Sequence, residues 1–246
     1  MTQGRESDHP RLACGGRRAR AVVGALILTS TLLACERPEV DVEFPASGRQ
    51  LTRAERRELQ RVADAAFREA RANLDGLPAK VTLIVRWGKD VIAETGETGA
   101  AAYPGNVGWT LDPARDALAI VRTQLRATLL HELHHLARAS RVQTTSLLDH
   151  VVTEGLATAF ERDTAKVAVP WGEPPDDAMA WTREVLRQPD AAVLHEWMIR
   201  HPDGRRWIGM RVGTFLADRA ARSSGKPPRA LAFTPTAEIL RLADVR

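Results

Sequence analysis

His131-Glu132-Leu133-His134-His135 sets two imidazoles and a carboxylate at spacings that suit a metal ion and a water. On a helix, residues four apart lie about 40° apart and one turn along, so His131 and His135 share a face and converge on one point. Glu132 stands to the side of their bisector, within reach of a water at that point. Two ligands and a general base in this order are the apparatus of metal-assisted hydrolysis. Zinc is the expected ion, one per chain, because a catalytic zinc takes three protein ligands and leaves a position for water. A His131/His134 pair is also geometrically possible, but it leaves no Glu so well placed as base. An accidental match in a chain of 246 residues has odds on the order of one in a hundred.

A third ligand is available in Glu154, 19 residues beyond His135 on a second helix-like segment, 147–163. That distance allows a turn and an antiparallel return. The small residues Gly155, Ala157 and Ala159 predict a close approach of this segment to the first helix, since an interior Gly costs about 1 kcal/mol relative to Ala. His150 and Asp149, one turn before Glu154, are candidates to support the ligands. His134 flanks the site on the side away from Glu132.

The elements that must position these groups follow from composition. Residues 117–139 are Ala-, Leu- and Arg-rich without Gly or Pro and read as one long helix, with Asp112, Pro113 and Asp116 as start signals. Residues 51–74 read as an amphipathic helix begun by a Thr52/Glu55 capping box. Residues 80–87 and 106–111 read as strands, with a glycine-containing loop over 94–105 between them. The second strand, leading into the HExxH helix, is expected at the cleft edge, where an extended peptide can add by backbone hydrogen bonds. Beyond Pro170, helical segments near 178–188, 191–199 and 206–221 are expected to close the back of the cleft. They carry His195 and His201, candidates to steady an oxyanion, with Arg211 and Tyr103 as weaker ones. Trp171, Trp181, Trp197 and Trp207 read as packing residues.

ATLLHELHHLARA followed by SLLDHVVTEGLATAFERD resembles the bacterial predicted Zn-dependent proteases, which carry HExxH and a downstream Glu-Gly-Leu-Ala and are similar to the glutamate-type zincins. The likeness is strongest over 125–163 and continues through 205–218 and 235–240. It implies an α+β, mostly helical zincin-like domain with a small sheet beside the HExxH helix. It further implies zinc on His131, His135 and Glu154 and Glu132 as base, but supplies no substrate; a peptide or protein is the substrate expected of the hydrolytic chemistry. One departure is Trp207, at a place where such proteins often have Tyr; it brings no hydroxyl.

The N-terminus points to export. Arg5, Arg11, Arg17, Arg18 and Arg20 precede an apolar run over 21–34, too short to span a bilayer, ending in Leu32-Leu33-Ala34-Cys35. That ending resembles a bacterial lipobox and implies a signal peptide over 1–34, acylation of Cys35 and anchoring in a lipid bilayer of the cell envelope. Residues 35–50 then form the lipidated Cys and a tether, and 51–246 the catalytic domain. Glu36 at the next position leaves inner and outer membrane equally open.

The formal charge of +4 is largely the leader's, since removing 1–34 leaves 30 basic against 29 acidic residues. That balance, without a basic stripe interleaved with aromatics, argues against a nucleic-acid partner. Cys14 and Cys35 leave the domain without a disulfide. A non-catalytic metal-binding or interaction lipoprotein, and a zinc amidase acting on a non-peptide amide, stay open beside the peptidase. Oligomeric state is open as well.

Overall fold

The computed structural model describes residues 39–44, 48–189 and 192–245. The signal peptide expected over 1–34 and the lipidation expected at Cys35 lie outside the described residues. Among the described residues, no helix is long and apolar enough to cross a membrane.

Alternating burial identifies the central strand. Val81, Leu83 and Val85 of β2 (Val81–Trp87) all point into the core, as the two-residue period of a strand requires. Parallel neighbours flank it, β1 (Val40–Glu43) on one side and β4 (Asn106–Leu111) on the other. An antiparallel edge, β3 (Glu97–Ala102), completes the order β1-β2-β4-β3. A parallel pair needs a crossover, and α1 (Arg53–Asn73) supplies it between β1 and β2. Thr52 and Glu55 cap this helix reciprocally, as the sequence predicts.

Two segments depart from expectation. Part of the tether is strand β1, because Asp64 of α1 accepts from the Glu39 and Val40 N–H groups at 2.9 and 3.0 Å while Gln60 donates to the Val40 carbonyl. The loop expected over 94–105 contains β3, whose Ala/Gly composition has little strand propensity of its own. Pairing along the whole length of β4 overrides that preference. It follows that β4 is an interior strand, and the cleft edge belongs to β3.

The helix expected over 117–139 is two helices, α2 (Ala117–Thr123) and α3 (Leu125–Ala139). The break is at Gln124, whose φ of −115° leaves the helical range without any Gly or Pro to signal it. It lets Ile120 and Val121 of α2 and Leu125 and Leu129 of α3 all enter one core with α1 and the sheet. A second core is built from α4 (Leu147–Ala165), α5 (Ala178–Leu186), α6 (Leu194–Met198), α7 (Ile208–Ser224) and α8 (Thr236–Leu242). The fold is α+β and mostly helical, with a small mixed sheet.

Helix α4 is fixed at several places. Arg126 of α3 forks onto Glu69 of α1 and donates to the Thr164 and Ala165 carbonyls at the α4 C-terminus. Arg162 pairs with Asp218 of α7 through two bonds of 2.9 and 2.8 Å. Gly155 makes the close approach foreseen for it, but to α7 and not to α3: a Cβ there would run into the Gly213 backbone. Asp149 is not at the metal centre. It caps α4 through the Thr145 and Ser146 N–H groups and accepts from Thr236 Oγ1 of α8 at 2.6 Å.

Gly155→Ala is expected to cost at least about 2 kcal/mol through overpacking, read as a lowered melting temperature, whereas Ala157→Gly should cost about 1 kcal/mol. Burial raises the Asp149 pKa, but its hydrogen bonds outweigh that and lower it to about 2. Its contribution is therefore full above about pH 4 and fades as pH falls towards 2. Denaturant titrations of wild type and Asp149→Asn should show a gap that narrows across that window.

Candidate metal centre

Helix α3 presents His131 and His135 one turn apart, and antiparallel α4 brings Glu154 against them. His131 Nε2 lies 3.0 Å from His135 Nε2 and 3.2 Å from Glu154 Oε2, and His135 Nε2 lies 3.4 Å from Glu154 Oε1. One proton between the two imidazole nitrogens satisfies only that pair, so the donor set as a whole calls for a cation. Tetrahedral ligands at 2.0–2.1 Å from zinc are about 3.3 Å from one another, close to the separations found. The residues present fit the ion. Among the described residues they form a group of three able to hold a metal.

The electrostatics agree. Burial raises the Glu154 carboxyl, but His135 and His131 outweigh it and hold it well below its ordinary pKa. Burial opposes charge on His131, yet hydrogen bonds to Glu154 and Glu161 raise its pKa well above the usual value. Both nitrogens of the His131 ring thus face carboxylates, with Nδ1 3.1 Å from Glu161 Oε2. A carboxylate behind a ligand histidine fixes its ring orientation and increases its basicity. Glu161 went unnoticed in the sequence, although a signal was there: it is seven residues, two helical turns, past Glu154 and so on the same face.

Glu132 is 6 % exposed and sits against β3, where burial raises its pKa while His131, His135 and, to a lesser extent, the Ala101 N–H lower it; the net shift is upward. Gly99 makes room for it. A Cβ there would lie 2.6 Å from Glu132 Oε1 and 2.7 Å from Thr128 Cγ2. Nothing in the sequence marks Gly99 for this part, since a strand between the two predicted ones was needed first. Glu97 of β3 is also buried and accepts from Trp109 Nε1 at 2.7 Å and Thr128 Oγ1 at 2.9 Å.

These groups line a cleft of about 670 Å³. His150 and His195 line it as well. Four other candidates are elsewhere. His134 is fully buried with its ring 5.6 Å from Phe160, and burial, with neighbouring positive groups, pushes its pKa well down. His201 packs at a tilt against Trp197 and pairs with Asp203 at 2.9 Å instead of reaching over the cleft. Tyr103 is 60 % exposed in the β3–β4 turn. Arg211 donates to the Pro170 carbonyl. Trp171 and Trp207 pack on one another, as expected of them, and also face the cleft.

A family of predicted Zn-dependent proteases (DUF2268) matches residues 59–241. The chain belongs to that family. The match runs from α1 to α8 and contains every residue of the centre. Zinc is therefore the metal of this family, and His131, His135 and Glu154 form the place in the chain that can take it. No curated protein matches the chain.

Glu161→Ala is expected to weaken zinc binding about 10- to 100-fold in a competitive chelator titration, with the fold intact by circular dichroism. Gly99→Ala should keep the metal and displace the Glu132 carboxylate, so peptide hydrolysis should fall while zinc content holds.

Proposed function

We propose that this chain is a peptidase of the bacterial cell envelope, with Glu132 as general base and lipid on Cys35 as its anchor. The observation that carries the reading is the placement of a buried, upward-shifted Glu132 in the same cleft wall as three convergent donors. Zinc on His131, His135 and Glu154 would supply a Lewis acid and bring the pKa of water towards about 7. Glu132 then accepts the proton of the attacking water and delivers it to the leaving amine. A carboxyl whose pKa burial raises is suited to both halves of that transfer. Glu161 holds the His131 ring through Nδ1. His150 and His195 line the cleft, and in this reading one of them donates to the developing oxyanion.

The edge of β3 beyond Glu97, whose carbonyl accepts from the Ile92 N–H, gives the substrate a place to lie. Residues 97–101 line the cleft, and an extended peptide can add to this strand through backbone hydrogen bonds, leaving the scissile carbonyl free. Small side chains at Gly99, Ala100 and Ala101 keep that approach clear. The anchor rests on Leu32-Leu33-Ala34-Cys35, since two or three acyl chains hold a protein on a bilayer durably.

Elemental analysis of the purified full chain should find one zinc in wild type and in Glu132→Gln, and less in Glu154→Ala. Hydrolysis of a peptide library should drop about a hundredfold to ten-thousandfold in Glu132→Gln. An active Glu132→Gln variant, or a folded wild type that takes up no zinc, would overturn the proposal.

A further inference from the structure

The cleft has an apolar part of its lining that the chemistry of hydrolysis does not use. Trp171, Met198, Ile199, Trp207 and Met210 face the cavity, and Ile92 approaches from the turn before β3. Two features of this wall call for explanation. Ile199, in the cleft lining, is 46 % exposed, and Val193 and Leu194 on the same short stretch are exposed apolar side chains as well. The fourth such residue among those described, Tyr103, is in the β3–β4 turn. Apolar side chains left open beside a cavity mark a surface that something apolar covers.

Trp207 is the second feature. Its φ of 56° and ψ of 36° put a bulky residue in the left-handed region, where Gly or Asn is usual. The conformation is held from several sides. Trp207 N–H donates to the Ile199 carbonyl at 3.1 Å, tying this stretch to the start of α7. Trp171 meets the indole edge-on at 6.0 Å, and the Arg206 guanidinium stacks 3.9 Å from it. Arg206 in turn reaches Glu94 at 2.7 Å, across to the turn that carries Ile92. Backbone strain maintained by this many neighbours, in the wall of a cleft, is characteristic of a group held in place for a ligand.

We infer that this wall is a specificity subsite that takes a bulky apolar side chain of the peptide substrate, with Trp207, Met210 and Ile199 as its determinants. The inference rests on the peptidase reading and adds the substrate class. A peptide paired along β3 projects alternate side chains to opposite faces, so one side chain in two can turn towards the wall. Two methionines give it an adaptable surface that accepts Leu, Ile, Met or Phe alike.

The zinc-loaded full chain would be incubated with a proteome-derived peptide library and its cleavage sites read by mass spectrometry. One position beside the scissile bond should be enriched in Leu, Ile, Met and Phe. Ile199→Glu, at an exposed position that leaves the core untouched, and Met210→Gln should each reduce the ratio of kcat/KM for a Leu peptide to that for its Asp counterpart by about tenfold or more, with zinc content unchanged. No cleavage by wild type would overturn the peptidase reading itself. Cleavage without apolar enrichment would overturn the subsite and leave the peptidase standing. Enrichment that survives in both variants would place the determinant elsewhere. Sedimentation with phosphatidylglycerol vesicles separates the other occupant: loss of vesicle binding in Ile199→Glu with the preference intact would make Ile199 a lipid contact and overturn the assignment.

Discussion

Three electron-rich donors held 3.0–3.4 Å apart in the wall of a cleft are the constraint from which the rest of this structure follows. Such a set does not gather by its own attractions, so the scaffold must hold two helices at fixed depth and phase. Helix α3 is held by the sheet and α1, and α4 by Arg126 at its end, Arg162 on its flank and the glycine crossing with α7. An interior glycine pair weakens both helices intrinsically, and the geometry it permits offsets that loss.

The same cleft collects four glutamates, Glu97, Glu132, Glu154 and Glu161. Their environments differ, and so do their chemical characters. Glu154 faces two imidazoles and is held ionised. Glu132 and Glu97 are desolvated against β3 and are shifted the other way. One residue type thus takes opposite shifts within a single cavity, divided by neighbours and not by sequence context.

What could be read from the sequence is what repeats with the period of a helix. His131, His135, Glu132 and Glu154 were legible because ligand spacing is local on α3 and because a turn and return brings one more helix alongside. β2 and β4 were legible from β-branched alternation. β3 was not, since Ala and Gly become a strand here only through the partner that β4 offers, and with it Gly99 and the Glu132 contact were hidden. The break at Gln124 has no local cause and answers to packing on both sides. His201, by contrast, looked placed for the cleft because of its turn, but Asp203 and Trp197 are nearer partners. Non-local pairing and competition among neighbours carry no short-range mark.

The division of most of the interior between two large cores has a consequence for how damage would be felt. Both histidines belong to the half built on the sheet, whereas Leu147, Val151, Val152 and Leu156, which seat the N-terminal part of α4, belong to the other. The centre is therefore a joint between two halves, and its precision depends on their mutual alignment more than on either half's own cohesion. A loosened contact far away, such as one between α7 and α8, would reach the donors as a misalignment of the joint. A chain so altered would keep its secondary structure and most of its stability while the three donors no longer met.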